Sequence, residues 1–268
     1  LLWRDAPEAD PDLVALVHPR RWADALMEAA PAEGLVAIDS DTVMSPGTLE
    51  AALRGAGGAA AAVDAVLAGE ARNAFSLMRP PGHHAERTRA MGFCFFNSAA
   101  IAARHAQRRH GLGRVAIVDF DVHHGNGTQD VFWDDPTVLY CSTHQMPLYP
   151  GSGRGSERGE HDTIVNAPLP AGADGALFRE TVEAAIVPRL EAFRPELVVL
   201  SAGFDAHRRD PLANLALDDA DFAWVTRRMM ALADRFADGR VVSVLEGGYD
   251  LVGLAGGVAA HVGALQVG

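Results

Sequence analysis

Four short polar clusters in this chain bring together the residue types that hydrolytic chemistry needs. The first reads Arg79-Pro80-Pro81-Gly82-His83-His84-Ala85 and the second Asp119-Phe120-Asp121-Val122-His123-His124-Gly125-Asn126-Gly127-Thr128. The third is Ser201-Ala202-Gly203-Phe204-Asp205, and the last Leu245-Glu246-Gly247-Gly248-Tyr249-Asp250. Carboxylate and imidazole together suit zinc, and a catalytic zinc site keeps three protein ligands and one open position. Side chains repeat every two residues in an extended segment, so Asp121 and His123 point to the same side, and Asp205 can add a third ligand from a neighbouring strand end. A two-metal site would need another carboxylate directly after the histidines; Gly125 stands there, so one metal is expected. Imidazole titrates near neutrality, so the tandem His83 and His84 suit proton transfer from an attacking water to a leaving amine. The preceding Pro-Pro-Gly stiffens their loop. The scattered His18, His105, His110, His161 and His261 fit surface or satisfied core positions, and His207 flanks Asp205 rather than adding a ligand.

Each cluster follows an apolar run. The pattern predicts buried strands over 74–78, 114–119, 137–142, 196–201 and 240–245, with helices over 46–68, 97–109, 174–193 and 218–236. Ser45 and Asp218 are the expected helix caps. Strand and helix alternate, which predicts one α/β domain with a mostly parallel sheet, helices on both faces, and ligands bound beyond the carboxyl ends of the strands. The segment 150–162 is rich in glycine, serine and charge; it lacks the lysine and helix of a phosphate loop and is expected to be a surface loop.

The chain has 268 residues, 49% hydrophobic and 22% charged, an ordinary balance for one folded domain. Its formal charge of -12 argues against nucleic-acid binding, which rests on lysine and arginine, and suits a cationic substrate. Cys94 and Cys141 sit among apolar neighbours and are expected to be reduced core thiols. With no leader-like start, a cytoplasmic location is expected. The apolar run 251–268 is Gly-rich, carries His261 and is short for a bilayer span, so a buried terminal helix is expected.

The four clusters, in this order, resemble those of the histone deacetylase family, which includes bacterial deacetylase-like enzymes and acetylpolyamine amidohydrolases. The resemblance runs from about Asp41 to the C-terminus, and Asn126 in His-His-Gly-Asn-Gly-Thr is similar to the class II branch. It implies an arginase-like α/β fold, zinc on Asp121, His123 and Asp205, and a catalytic pair at His83 and His84. It further implies that Asp119 partners His83 and Asn126 partners His84. A neutral amide leaves His84 less basic than a carboxylate would, making His84 the proton carrier and His83 a charged electrostatic support. Tyr249 would donate to the oxyanion, a structural potassium would lie near Asp119 and Ser142, and Gly92, Phe93, Tyr149 and Leu212 would line the substrate channel. The N-terminal region usual in the family does not precede Leu1, so the floor and rim of the site are expected to be incomplete.

The expected activity is zinc-dependent hydrolysis of a short N-acyl amide, foremost acetyl-lysine in a protein or peptide. An acetylated polyamine is the alternative substrate. A silent acyl-ligand reader is the third reading, and it is disfavoured because Tyr249 is present. In the resembling family, polyamine-selective members place a glutamate where this chain has Leu212, and no long insertion lies between Tyr140 and Asn166 to narrow the entrance. The pattern implies neither a membrane role nor a particular oligomeric state.

Overall fold

In the computed structural model, which describes residues 1–267, the strands are β1 (Val36–Ala37), β2 (Val43–Met44), β3 (Asn73–Ser76), β4 (Val115–Asp119), β5 (Val138–Gln145), β6 (Ile164–Leu169), β7 (Leu197–Ala202) and β8 (Val241–Leu245). The helices are α1 (Pro11–Val14), α2 (Arg20–Glu28), α3 (Thr48–Leu67), α4 (Ser98–His110), α5 (Asn126–Phe132), α6 (Gly175–Thr181), α7 (Val187–Phe193), α8 (Asp219–Phe236) and α9 (Leu251–Val267), with a π-helical turn, Val182–Ile186, joining α6 to α7. Strands β3 to β8 form one sheet in the order β3-β8-β7-β4-β5-β6, every pair parallel. Strands β1 and β2 make a separate antiparallel pair.

The alternation of side chains divides the core in two. Val115 and Ile117 of β4 join an apolar cluster with α3 and α4, while Ala116 and Val118 join a second with α6, α7 and α8. Each face of the sheet is therefore covered, which is why these strands are apolar throughout rather than alternating with polar residues. Burying a side chain such as Ile117 contributes roughly 2 kcal/mol.

Several boundaries differ from expectation. Strand β3 ends at Ser76 and β5 runs on to Gln145. Strand β6 was not expected; it carries Pro168 and lies at the sheet edge, where a missing N–H is tolerated. Helix α3 begins at Thr48 with Gly47 before it at a φ of 86°, so Ser45 is not its cap; the Ser45 N–H donates to Thr48 Oγ1 instead. Asp218 does cap α8, in a reciprocal capping box with Asp221. Helix α9 is buried along one face only: Gly253, Gly257, His261, Ala264 and Leu265 pack inward while Leu251 is 80% exposed. No helix among the described residues is long and apolar enough to cross a membrane. Cys94 and Cys141 are buried free thiols.

Candidate active site

Strand order decides what meets at the carboxyl edge. The neighbours β3, β8, β7 and β4 are followed by the His83–His84 loop, the Glu246–Tyr249 loop, Asp205, and Asp121 with His123. The direction of strand succession reverses between β4 and β7, the position where open α/β sheets leave a crevice.

Asp121, His123 and Asp205 converge at that carboxyl edge and are all buried. His123 Nδ1 lies 3.1 Å from Asp121 Oδ1 and 3.1 Å from Asp205 Oδ2. Backbone groups aim the carboxylates: Val122 N–H donates to Asp205 Oδ1 at 2.9 Å, and Gly247 N–H to Asp121 Oδ2 at 2.8 Å. Gly247 cannot carry a side chain, because a Cβ would stand 2.1 Å from Asp205 Oδ2. Burial and then the charge of Asp121 raise Asp205 to about 7. Burial lowers His123, but hydrogen bonds with Asp121 and Asp205 outweigh it and raise the imidazole to about 10. The set thus attracts positive charge, and a proton and a metal ion compete for the same atoms.

A second convergence, Asp64 with His105 and His110, is different in kind. Both Nε2 atoms lie 2.7 Å from the same Asp64 Oδ1, and the Asp64 side chain is 52% exposed. The buried set joins two carboxylates and an imidazole away from solvent, whereas the surface set shares one exposed carboxylate oxygen between two imidazoles.

Beside the convergence, His83 Nδ1 lies 3.0 Å from Asp119 Oδ2, which also accepts the Tyr140 hydroxyl at 3.0 Å. Burial lowers the His83 pKa, but the carboxylates of Asp121, Asp119 and Glu246 raise it well above the ordinary value. His84 Nδ1 lies 2.8 Å from Asn126 Oδ1, and burial and the charge of His83 hold His84 well below its ordinary value. The two rings are 4.1 Å apart, so a charge on one opposes a charge on the other, and the carboxylate partner of His83 favours charge there over His84. Glu246 was not singled out by sequence reasoning. Its Oε2 accepts the N–H of Gly82 at 2.7 Å and of His83 at 3.0 Å, and its Oε1 the Ser201 hydroxyl at 2.6 Å, so it anchors the histidine loop.

Tyr249 follows β8, with its backbone N–H donating to Asp210 Oδ2 at 2.7 Å. Burial and the charges of Asp205 and Asp121 push its phenol up, so it remains an O–H donor. Asp210 was also missed; its other oxygen accepts the Leu212 N–H at 3.0 Å, tying Leu212 to the Tyr249 loop. Phe93 faces Tyr249 with ring centroids 5.8 Å apart, and Tyr149 faces His84 at 5.1 Å. Phe93, Tyr149 and Leu212 are exposed.

Gly92 has a φ of +58°, and a Cβ there would stand 2.4 Å from His84 Cδ2. Both strain and collision oppose a side chain. Gly92→Ala is expected to displace the His84 ring and lower kcat by roughly tenfold to a hundredfold, as steady-state kinetics on the metal-loaded protein would show.

His207 is not among the convergent ligands; its Nδ1 accepts the Arg209 N–H at 3.2 Å. His261 is a satisfied core residue between Thr226 and Ser243, and His18 is buried beneath Asn97. The segment 150–162 is not wholly a surface loop: Ser152 Oγ lies 2.8 Å from His124 Nδ1, and the Gly153 carbonyl 2.8 Å from His144 Nε2. Asp119 and Ser142 are cross-strand partners, but their side-chain oxygens are engaged by Asp121 N–H, His83, Tyr140 and His144. A potassium ion there therefore rests on the resemblance alone.

Comparison with known proteins places the chain in a family. The chain is 43% identical over 259 residues to histone deacetylase 14, chloroplastic, of Arabidopsis thaliana, covering 92% of this chain and 61% of that protein. It is 43% identical over 250 residues to a histone deacetylase-like amidohydrolase of Pseudomonas aeruginosa, covering 92% and 66%. It thus spans less than two thirds of either relative. The crystal structure of the HDA15 HD domain superposes with a TM-score of 0.92 at 35% identity, over 98% of this chain and 74% of that one. The histone deacetylase domain matches residues 1–265, and the chain belongs to the histone deacetylase family.

Proposed function

We propose that this protein hydrolyses short N-acyl amides in a zinc-dependent reaction, with acetyl-lysine in proteins or peptides as the substrate class. The observation that carries this reading is the convergence of two carboxylates and an imidazole beside a histidine pair, one ring partnered by a carboxylate and the other by an amide. Bound by Asp121, His123 and Asp205, zinc would supply a Lewis acid for the amide carbonyl and lower the pKa of water. His84, neutral, takes the proton of the attacking water and returns it to the leaving amine. His83, paired through Nδ1 with Asp119 at 3.0 Å, would offset negative charge as it develops. Tyr249 donates its hydroxyl to the same oxygen. The free thiols of Cys94 and Cys141 suit a reducing compartment such as the cytoplasm.

The choice between lysine and polyamine turns on Leu212. It is 46% exposed at the rim and offers no charge to a second amine, while Phe93 and Tyr149 match a methylene stem. The expected result is a higher kcat/KM for acetyl-lysine peptides than for acetylspermidine or acetylputrescine, with Leu212→Glu shifting preference towards the polyamines. A tenfold preference of the wild type for acetylpolyamine would instead make the polyamine the substrate. No turnover of either substrate by the zinc-loaded protein would overturn the hydrolytic reading.

A further inference from the structure

Asn126 is gripped from both ends. Its Oδ1 lies 2.8 Å from His84 Nδ1, and its Nδ2 donates to Glu86 Oε1 at 2.7 Å. The remaining neighbours of Nδ2 are weaker: the His84 carbonyl at 3.5 Å and Met91 Sδ at 3.3 Å. A side-chain amide turned by 180° exchanges its acceptor and donor ends, so an asparagine held only by a histidine could present either. A carboxylate has only acceptors to offer, and one placed against Asn126 admits only the NH2 end.

We infer that Glu86 is a positioning residue for the His84–Asn126 pair: it fixes the Asn126 amide and thereby the tautomer of His84. The inference rests on the hydrolytic reading of the site. With Oδ1 held towards His84, Nδ1 must carry the proton, and Nε2 keeps the only lone pair of the ring. That is the form a base requires. Accepting from Nδ2 also polarises the amide and strengthens Oδ1 as an acceptor, so Glu86 lends Asn126 part of the character of a carboxylate.

The surroundings hold Glu86 to this task. The N–H groups of Gly127 and Thr128 both donate to the His83 carbonyl, at 3.0 and 3.2 Å, which seams the two loops together. A Cβ on Gly127 would stand 2.3 Å from the Ala85 carbonyl oxygen, so the seam cannot widen for a side chain without breaking. Glu86 sits in a tight turn, its N–H donating to the Arg89 carbonyl at 3.0 Å, while the Arg89 guanidinium pairs with Asp39 at 2.9 Å. A cavity of about 340 Å³ lined by Glu86, Arg89, Asn126 and Trp133 opens beside the contact and is large enough to hold water against the carboxylate.

The test uses the zinc-loaded protein, an acetyl-lysine peptide, and the variants Glu86→Gln, Asn126→Asp and the two combined. Glu86→Gln should lower kcat roughly tenfold, with KM within about twofold and an unchanged melting temperature. Asn126→Asp sets two carboxylates against each other and should be slower still. Adding Glu86→Gln to Asn126→Asp restores a donor opposite an acceptor, so the double variant should regain roughly tenfold over Asn126→Asp alone. A purely structural Glu86 would give no such rescue. Independently of turnover, 15N NMR should find His84 protonated at Nδ1 in the wild type and as a tautomer mixture in Glu86→Gln. Wild-type kcat in Glu86→Gln, a double variant no faster than Asn126→Asp, or the same tautomer in both proteins would overturn the inference. An inactive wild type with the NMR difference intact would instead remove the hydrolytic reading and leave the positioning role standing.

Discussion

Asp205→Ala should fold, fail to retain a divalent ion through dialysis, and lose turnover by at least about a thousandfold, because a three-ligand site has no ligand to spare. Metal analysis and steady-state kinetics on the same preparation check this, and a stoichiometric, active Asp205→Ala would remove Asp205 from the ligand set. The pH dependence of the metal-free fold gives a companion result. Asp205 is raised to about 7 by burial and by Asp121, so its charged form is penalised in the fold; the penalty grows as pH rises from the ordinary carboxylate value and is complete above about 7. His123 is lowered by burial but raised further by its hydrogen bonds with Asp121 and Asp205, to about 10. The stability it contributes is present below its ordinary value and is lost as pH climbs towards about 10. Both groups act in the same direction and share one proton, so this pair makes the metal-free fold less stable as pH rises above about 6.5, where the buried His18, His124, His144 and His261, all held below the ordinary value, no longer change their contribution. A bound divalent ion takes the place of that proton and binds more tightly as pH rises. The melting temperatures of metal-free and metal-loaded protein should therefore diverge with pH; a constant difference would show that the convergent set does not hold the ion.

What could be read from the sequence was what chemistry or full burial restricts. Strands β4, β7 and β8 are apolar because both faces are covered, and the polar residues that follow them had no structural reason to be there. Strand β6 escaped; it carries Pro168, a residue that argues against a strand everywhere except at an edge, and edges are set by the whole sheet. Glu246 and Glu86 escaped for another reason: their partners are supplied by folding, not by neighbours. Glu246 meets Gly82 across 164 positions, and Glu86 meets Asn126 across 40. Gly125 was legible only as an absence, the place where a second carboxylate would stand. The fold gives the physical cause, since a Cβ there would lie 2.4 Å from Asp119 Oδ2 and 2.5 Å from the Tyr140 hydroxyl. The position excludes every side chain, not merely an acidic one.

Tyr249→Phe should lower kcat by roughly a hundredfold or more while KM changes far less. The phenol is kept protonated by burial and by the charges of Asp205 and Asp121, so it can give a hydrogen bond and cannot compete for the metal as a phenolate. The amide oxygen of a bound substrate carries little charge, and the same oxygen carries nearly a full charge once water has added. A donor aimed at it therefore strengthens along the reaction, and an interaction that grows towards the transition state appears in kcat rather than in KM. The substitution leaves the fold intact on structural grounds: the Tyr249 contact with Asp210 runs through its backbone N–H, and a phenylalanine keeps the edge-to-face packing against Phe93. Metal content and melting temperature should match the wild type, which separates a lost donor from a damaged site. The same variant distinguishes hydrolysis from mere recognition of an acylated ligand. A silent reader would bind an acetyl-lysine peptide equally with or without the hydroxyl and would turn over in neither form. A Tyr249→Phe protein that keeps its metal and works within about threefold of the wild-type kcat would take the hydroxyl out of the reaction, leaving the charge of His83 and the metal to stabilise the oxyanion.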